Sequence, residues 1–386
     1  MRFMKTQTSS ATPRRILMTV DPIGGVWTYA LELARALEPY GIEIALASMG
    51  AHLTREQYQQ VFARKNVRLF ESTYRLEWMD APWGDVDRAS DWLLKIAERF
   101  RPDLLHLNSY GHADLAWDAP VLIVAHSCVL SWWRAVKNEE APAQYDEYRA
   151  RVAAGLAAAD LIVAPSAAMT DALALHYDAH SRCIVIGNGR DPRSFVFGEK
   201  APVAFACGRI WDEAKNLRLL DQIAPHVPWP IAVAGDCRHP GGSTVALENV
   251  RCLGKLEPHE VERQLSRAAI FALPARYEPF GLSALEAGLS GCALVLGDIP
   301  SLRETWDGAA IFVPPDDPTA LVNALTSLIE DKPRREYFGE SAFARALEFS
   351  PQRMAAEYIA AYRVCAEQQS RSAAEKPELV VEEVAV

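Results

Sequence analysis

Short apolar runs recur along the whole chain, and the segments between them carry the spacing of amphipathic helices. In the first half the runs are RILMTV, IEIALAS, DLLHL, VLIVAH, LIVA and CIVIG, at residues 15–20, 42–48, 103–107, 121–126, 161–164 and 183–187. In the second half they are VAFACG, IAVAG, IFALP and ALVLG, at residues 203–208, 231–235, 270–274 and 293–297. Continuous apolar strands that alternate with helices are typical of parallel sheets covered by helices on both faces. The pattern therefore predicts an α/β fold with doubly wound, Rossmann-like parallel sheets.

The length of 386 residues favours two domains, since single hydrophobic cores rarely grow beyond about 250–300 residues. The alternation of strands and helices is interrupted at 186–203, where glycine, asparagine and proline occur without a period. We therefore predict a first domain at 1–192 and a second domain at 193–349, facing each other across a cleft. The end of the chain, residues 370–386, is acidic and aperiodic and is predicted to be disordered.

Composition limits the classes of partner and the cellular compartment. The net charge of −10 argues against broad nucleic-acid binding. The seven cysteines include no CxxC pair, so neither disulfides nor a structural zinc site is expected, which fits a reducing cytoplasm. The N-terminal segment lacks the apolar region of a signal peptide, and no apolar run reaches the roughly 18 residues of a membrane span. We expect a cytoplasmic protein, and the sequence leaves open a peripheral contact with the inner face of a membrane.

The stretch ARYEPFGLSALEAG, residues 275–288, joins an apolar strand to a predicted helix through a Pro-Phe-Gly turn. Ligands of parallel α/β sheets collect at the carboxyl ends of strands, where helix N-termini point. Gly281 permits a tight turn, so the helix is predicted to begin near Leu282. The free backbone amides of Gly281, Leu282 and Ser283 would then face an anion.

Two carboxylates, Glu278 and Glu286, lie on either side of this turn. Glu286 would lie one helical turn further along, ~6 Å by helix rise. A ligand with hydroxyls on both sides of a phosphate group fits this spacing, as in a sugar joined through a diphosphate to a ribose. A bare pair of acids at this spacing is more often a solvated loop acid and an exposed helix acid. The strand before the turn and the small residues Ala287 and Gly288 after it favour the binding site.

A second stretch, ACGRIWDEAKN at 206–216, places Arg209 and Lys215 after the strand VAFACG. Two fixed cations at the carboxyl end of a strand can neutralise a diphosphate and stabilise the charge that develops as it leaves. The alternative is a solvated helix start in which Asp212 and Glu213 are the partners of the two cations.

Together these elements resemble the retaining glycosyltransferases of family 4, which have the GT-B fold. The resemblance is carried by the motifs EPFGLSALEAG, GRIWDEAKN, IGNGRD, PIGGVWTYALELARAL and GDIPSLRETWDGAAIFVPPDD. It covers about residues 14–365 and is strongest over 203–330. The spacing between Arg209 and Lys215 is one residue longer than in the commoner form of the family.

The resemblance implies an enzyme that moves a hexosyl unit from a nucleoside-diphosphate sugar to a carbohydrate or lipid-linked acceptor, as in polysaccharide biosynthesis. It implies retention of configuration, with no metal and no cofactor. Glu278 would bind hydroxyls of the transferred sugar and Glu286 the ribose. Arg209 and Lys215 would hold the diphosphate with the amides of 281–283.

The same resemblance extends to residues outside these two motifs. Phe280 would lie with the donor, and the base would lie near Leu256. His126, at the end of the strand VLIVAH, would reach the transferred sugar from the first domain; the alternative is a packed, hydrogen-bonded histidine. Gly24 and Gly25 would let the backbone approach the donor; the alternative is an ordinary strand–helix turn.

The sequence DVD at 85–87 superficially resembles the metal-binding DxD of other glycosyltransferases. It leads directly into a helical pattern, which favours acids that cap the helix N-terminus, and no metal site is predicted. His106 also lies near a strand end, where we expect it to belong to the core.

Two further features of the chain have alternative interpretations. The aromatic residues of the first domain could stack on acceptor sugars or serve ordinary packing; they are Trp78, Trp83, Tyr110, Trp132 and Trp133. The helical segment 350–367 begins with Ser-Pro, and the resemblance implies that it packs back on the first domain. The alternative is a helix that only completes the second domain.

Three other functions were weighed against transfer. A dehydrogenase is disfavoured because DPIGGVW lacks the third glycine of GxGxxG. A nucleotide-sugar epimerase shares the GT-B architecture but is not expected to carry the two acids around the turn. A non-catalytic nucleotide-sugar-binding protein stays open, because the motifs describe binding as well as turnover.

Overall fold

The computed structural model describes residues 12–179, 182–239 and 242–374, and it contains two parallel sheets. The first sheet has seven strands, which in chain order are β1 (Arg15–Val20), β2 (Glu43–Ser48), β3 (Val67–Glu71), β4 (Leu104–Leu107), β5 (Val121–Val124), β6 (Leu161–Ala164) and β7 (Cys183–Val185). The second has six, which are β8 (Ala201–Cys207), β9 (Ile231–Ala234), β10 (Arg251–Gly254), β11 (Ala268–Leu273), β12 (Ala293–Gly297) and β13 (Ala310–Val313). The predicted α/β fold with two Rossmann-like sheets is confirmed.

Helices connect the strands and cover the sheets. In the first half they are α1 (Gly25–Leu37), α2 (Arg55–Phe62), α3 (Trp83–Phe100), α4 (Val129–Lys137), α5 (Asp146–Ala158) and α6 (Ala167–Tyr177). In the second half they are α7 (Leu217–Ile223), α8 (Pro258–Arg267), α9 (Leu282–Leu289), α10 (Pro300–Trp306), α11 (Pro318–Glu330), α12 (Lys332–Ala346) and α13 (Pro351–Ala374). No helix of the described ranges is both long and apolar enough to cross a bilayer.

Strand β1 shows why the apolar runs are continuous. Its residues Ile16, Met18 and Val20 face a core that includes α1 and α13, whereas Leu17 faces a second core that includes α3, α5 and α6. Successive side chains of a strand point to opposite faces, so a strand that is covered on both faces needs apolar residues at every position.

The strand order of both sheets reverses at one point. The first sheet runs β3-β2-β1-β4-β5-β6-β7, and the second runs β10-β9-β8-β11-β12-β13. The connections therefore leave β1 and β4 in opposite directions, and likewise β8 and β11. In open α/β sheets the crevice at the carboxyl ends of such strands is where ligands bind. Two such crevices are present, one in each sheet.

Three strands of the structure were not among the apolar runs predicted from the sequence: β3, β10 and β13. All three lie at the edge of their sheet. Strands β3 and β10 are also only partly buried, with the sequences VRLFE and RCLG. An edge strand has only one neighbouring strand and is packed less closely by helices, so it tolerates charged residues, as in β3 and β10. This reason does not apply to β13, whose sequence AIFV is apolar.

Helix α13 returns the chain to the first sheet after the second sheet is complete. Met354, Tyr358, Tyr362 and Cys365 are buried in the core that contains α1. Helix α13 therefore packs on the first sheet, and the domain bounds of 1–192 and 193–349 stay a prediction. The acidic end predicted at 370–386 falls partly on the last turns of α13, and from residue 375 it lies outside the described residues.

His106 connects three elements of the first domain, as a core residue. Its Nε2 lies 3.1 Å from the hydroxyl of Tyr29 on α1, and its Nδ1 lies 2.9 Å from the hydroxyl of Tyr362 on α13. The side chain is fully buried. Burial lowers the pKa of His106 from 6.5 to about 3, and the neighbouring His126 adds to this shift.

This pKa makes the stability of the protein depend on pH. Below pH 6.5 the unfolded chain binds a proton at His106 that the folded protein excludes until about pH 3, so stability falls as pH falls across this window. The loss attributable to His106 is about 2 kcal/mol between pH 6 and pH 4. We expect His106→Gln to flatten the pH dependence of the unfolding free energy by this amount in urea titrations. A variant curve that is only offset, and parallel to that of the unsubstituted protein, would contradict this account.

Candidate active site

A cleft of about 910 Å³ lies between the two domains, at the point where both strand orders reverse. Its walls come from the segments that follow β1, β4 and β5 on one side and β8 and β11 on the other. Of the predicted site residues, all but one line this cleft; they are Gly24, Gly25, His126, Arg209, Lys215, Glu278, Phe280, Gly281, Leu282, Ser283 and Glu286. The exception is Leu256, which packs half-buried against the core of the second domain.

Hydrogen bonds hold the two domains together at one side of the cleft. The amide of Cys128 donates to the hydroxyl of Tyr277 at 3.0 Å, and the hydroxyl of Ser166 donates to the carbonyl of Pro279 at 2.7 Å. The indole N–H of Trp132 donates to Asp212 at 3.2 Å. Tyr277 and Pro279 flank Glu278, so these contacts fix the loop that carries it.

The turn after β11 has the predicted geometry. Gly281 has φ 92°, a conformation that favours glycine, and α9 begins at Leu282. The carboxylate of Glu278 pairs with the ammonium of Lys215 from the loop after β8. The ring of Phe280 is buried and packs edge-on against Phe349, with centroids 5.5 Å apart. A cation, a carboxylate and the free amides of a helix N-terminus therefore lie together in the cleft.

Glu286 is the second acid of the turn, and it is not solvated. Its Oε1 lies 2.9 Å from Nε of Arg190, which belongs to the segment that connects the domains. Burial raises the pKa of Glu286, and the guanidinium of Arg190 opposes this shift. Arg190 also lies 3.7 Å from Glu32 on α1. The ion pair therefore ties α9 to the first domain.

Arg209 is held by a buried carboxylate. Its Nη2 lies 2.7 Å from Asp212, which also accepts a hydrogen bond from the amide of Ala214. Burial would raise the pKa of Asp212, but the charges of Arg209 and Lys215 outweigh it, and the net pKa is lowered. Asp212 therefore stays ionised and fixes the loop between β8 and α7.

His126 lies opposite these groups, on the first domain. Asn108 donates from its amide nitrogen to the carbonyl of Thr19 at 2.6 Å, so its Oδ1 is the atom that faces Nε2 of His126 at 2.8 Å. Nε2 must then carry the proton, which leaves Nδ1 as an acceptor. Burial lowers the pKa of His126 to about 3, so the ring is neutral near pH 7. Tyr29 packs edge-on against it, with centroids 4.6 Å apart.

Gly24 and Gly25 form the turn between β1 and α1, and both face the second domain. Gly24 has φ 101°, and a Cβ at this position would lie 3.6 Å from the guanidinium of Arg209. A Cβ at Gly25 would lie 3.2 Å from the side chain of Leu282. A side chain at either position would narrow the cleft at its closest approach.

Sequence reasoning missed several residues of the cleft. Asp21 follows β1 directly and lines the cleft; its Oδ1 accepts the amide of Ile23 at 2.6 Å. Burial raises the pKa of Asp21 to about 7, against the opposing effects of the Ile23 amide and the Arg209 guanidinium. The sequence could have identified Asp21, because it directly follows the carboxyl end of the first strand, as Arg209 follows the strand VAFACG. No signal in the sequence linked Arg190 to Glu286.

The DVD stretch lies in helix α3, which begins at Trp83, two residues earlier than Asp85. Asp85 and Asp87 are therefore inside the first turns and do not cap the helix, which corrects the prediction. Asp85 pairs with Arg88, and Asp87 pairs with Arg151 at 2.6 Å. Within the described ranges, no group of three or more potential metal-binding side chains occurs.

Comparisons with known proteins agree with the geometry. Residues 23–194 match the family model described as Glycosyltransferase Family 4, and residues 190–345 match the one described as Glycosyl transferases group 1. The chain is 26% identical to D-inositol 3-phosphate glycosyltransferase of Corynebacterium diphtheriae over 376 residues, which cover 85% of this chain and 86% of that protein. It is 29% identical to O-antigen chain mannosyltransferase B of Escherichia coli over 115 residues, which cover 30% of each chain.

Two solved structures have a similar fold. Sucrose-phosphate synthase from Thermosynechococcus elongatus superimposes with a TM-score of 0.74 at 19% identity, over 93% of this chain and 100% of that chain. Anabaena Alr3699/HepE in complex with UDP-glucose gives a TM-score of 0.68 at 18% identity, over 90% of this chain and 98% of that chain. At these identities the likeness concerns the fold.

The buried ion pair of Arg190 and Glu286 allows a direct test. Arg190→Met should lower the unfolding free energy by about 2 kcal/mol, because it leaves a mostly buried carboxylate, 16% exposed, without its partner. The double variant Arg190→Met/Glu286→Gln should recover most of this loss, since the charge is removed together with its partner. Arg193→Met, at an exposed arginine of the same segment, is the matched control and should change stability by less than about 1 kcal/mol. Equal losses in the single and double variants would contradict the pairing.

Proposed function

The chain belongs to the glycosyl transferases group 1, with the GT-B fold, and we propose that it transfers a hexosyl unit from a nucleoside-diphosphate sugar with retention of configuration and without a metal ion. The acceptor is a carbohydrate or a lipid-linked carbohydrate. Family membership makes the chain a glycosyltransferase; the donor class, the stereochemistry and the acceptor class are the content of the proposal. A cytoplasmic site of action, with contact to the inner face of a membrane left open, remains part of the proposal.

One observation carries the donor assignment: Lys215 and Glu278 pair inside the cleft, beside the free amides at the start of α9. This arrangement presents a cation and amides for a diphosphate and, next to them, a carboxylate for sugar hydroxyls. Arg209 lines the same cleft and supplies a second cation. The similarly folded Anabaena protein that was solved with UDP-glucose supports the same class of donor.

Glu286 would bind the ribose hydroxyls. An ionised carboxylate accepts hydrogen bonds through both of its oxygens, so it can pair with two neighbouring hydroxyls. Arg190 opposes the effect of burial on this acid. The guanidinium of Arg190 therefore favours the ionised form of Glu286, while burial leaves the pKa of this acid raised overall. Leu256 is retained as a proposed neighbour of the base, although it lies outside the lining of the cleft.

The chemistry follows from charge. The bond between the anomeric carbon and the diphosphate oxygen breaks through an oxocarbenium-like state, and the acceptor oxygen bonds to the same face of that carbon. The leaving diphosphate gains negative charge, which Arg209, Lys215 and the amides of α9 stabilise. The acceptor proton passes to an oxygen of the leaving diphosphate. Nδ1 of the neutral His126 accepts a hydrogen bond from a hydroxyl of the transferred sugar.

Two experiments test the function. A thermal-shift screen with UDP-, GDP- and ADP-sugars identifies the donor, since a ligand at 100 times its Kd stabilises by about 2.7 kcal/mol. Release of the nucleoside diphosphate on addition of an acceptor then separates a transferase from a non-catalytic binder. Inversion at a ring carbon of the sugar, without net release of the nucleoside diphosphate, would instead identify an epimerase.

The two acids should have separable effects on kinetics. Glu286→Gln should raise the KM for the donor about 10-fold or more with kcat largely kept, because a ribose contact is much the same in the ground and transition states. Glu278→Gln should mainly lower kcat, because its partner is the reacting sugar. Steady-state kinetics with the donor from the thermal screen measure both values, and melting curves verify that each variant is folded. An unchanged donor KM in Glu286→Gln would refute the ribose assignment.

Chelation should leave the activity unchanged. Two cationic side chains already serve the diphosphate, so a divalent ion has no required task in this proposal. Assays with and without EDTA measure this directly. Loss of activity in EDTA that manganese or magnesium restores would overturn the metal-independent mechanism.

A further inference from the structure

The first-domain wall of the cleft is chemically unlike the second-domain wall. We define the first-domain wall by Asp21, Glu77, Trp78, Asp80 and Trp133, which line the cleft and have no role in the donor site proposed above. The second-domain wall carries Arg209 and Lys215. The first-domain wall thus presents three carboxyl groups and two half-buried aromatic rings.

The cation nearest to these carboxyl groups is already engaged. Arg75 lines the cleft, but its Nη1 donates to the carbonyl of Asp80 at 3.0 Å, and its Nε lies 3.8 Å from Asp85. The histidines of this side add no charge near pH 7, since burial lowers the pKa of His112 to about 4 and that of His126 to about 3. An anion on this wall would therefore meet carboxyl groups, and the nearest arginine of the described lining, Arg75, already donates to a backbone carbonyl.

Glu77 is held in place by the backbone. Its carboxylate accepts the amide of Gly111 at 2.8 Å and that of Tyr110 at 3.1 Å. Both amides lie in the segment after β4, at the carboxyl edge of the first sheet. Each carboxylate oxygen can accept more than one hydrogen bond, so Glu77 retains capacity for a hydroxyl. Its orientation is fixed before any ligand arrives.

Asp21 lies where the two walls meet. It follows β1, its Oδ1 is fixed by the Ile23 amide, and the charge of Arg209 reaches it from the second domain. A group bound to Asp21 would therefore lie next to the cation assigned to the diphosphate. This is the position that a reacting acceptor must occupy, because its oxygen attacks the carbon that carries the diphosphate.

We propose that the first-domain wall binds an acceptor sugar without a phosphate group, through hydrogen bonds from its hydroxyls to Asp21 and Glu77 and contact of its ring with Trp78 or Trp133. This inference rests on the proposed function and specifies its acceptor. Carboxyl groups accept hydrogen bonds from hydroxyls, and in their ionised form they repel phosphate, so the wall favours neutral sugars. The sugar residue that receives the hexosyl unit is therefore uncharged, even where a more distant part of the acceptor carries a lipid diphosphate.

The test compares matched acceptors with the donor that the thermal screen identifies. Glucose, mannose, galactose and their α-linked disaccharides are the neutral probes, and the 1- and 6-phosphate esters of the same sugars are the charged ones. Release of nucleoside diphosphate is measured with each probe, and also without acceptor. We expect kcat/KM to be at least about 10-fold higher for a neutral sugar than for its phosphate ester, the scale of one lost charged hydrogen bond.

Variants locate the preference on this wall. Asp21→Asn and Glu77→Gln should each lower kcat/KM for the neutral acceptor by about 10- to 100-fold while the thermal shift with donor stays unchanged. Asp91→Asn makes the same chemical change on an exposed face of α3 and should alter neither. A shift of the donor affinity in Asp21→Asn, with acceptor kinetics unaltered, would contradict the acceptor role.

The other outcomes distinguish a failure of this acceptor inference from a failure of the proposed function. Preference for a phosphate ester, abolished by Arg75→Gln, would overturn the inference and leave the donor assignment intact. Donor binding and slow donor hydrolysis, with no transfer to any neutral probe, would likewise overturn the inference and leave the donor assignment intact. Absence of both donor binding and donor turnover would overturn the proposed function and this inference with it.

Discussion

The guanidinium of Arg190 joins the two domains at the segment that connects them. It lies in the connecting segment, 3.7 Å from Glu32 of α1 and 2.9 Å from Glu286 of α9. A buried carboxylate without a partner costs several kcal/mol, so Glu286 and Arg190 must stay together. Because α9 also carries the free amides of the cleft, this pair helps to hold those amides against the first domain, together with the bonds of Tyr277 and Pro279. The chain crosses back beside it, where the amide of Arg190 donates to the carbonyl of Phe349 at 3.0 Å.

The charges of the second-domain wall are arranged in pairs before any ligand binds. Lys215 is held by Glu278, and Arg209 is held by Asp212. Each cation thus keeps one orientation at the mouth of a helix whose amides face the same space. Fixed dipoles and charges of this kind stabilise developing negative charge without reorganising during the reaction. The first-domain wall has the opposite character, with three carboxyl groups and two aromatic rings, which suits hydroxyls.

The chain pattern anticipated the fold and most of the cleft. A strand covered on both faces is apolar at nearly every position, so β1 and β12 could be predicted from the continuous apolar runs RILMTV and ALVLG. The carboxyl-end rule then placed Glu278, Arg209 and His126 at one edge, and the structure brings all three to a single cleft. The same rule could have identified Asp21, which ends the first run. Strands β3 and β10 were not predicted, because a strand at the edge of a sheet has one neighbour and needs fewer apolar residues.

The sequence by itself determined which segments become strands, where each strand ends, and therefore which side chains reach the cleft. Periodicity and turn residues are local properties, and the carboxyl ends of parallel strands meet at one edge whatever the side chains are. Only the tertiary structure decided the partners: Arg190 with Glu286, Asp21 with the field of Arg209, and Asn108 as the group that fixes the proton on Nε2 of His126. Arg190 and Glu286 are 96 residues apart in the chain, and Asp21 and Arg209 are 188 apart. The first two contacts exist only after the two domains have docked, and the third exists only after β4 and β5 have paired within the first domain, so no local pattern of residues encodes them.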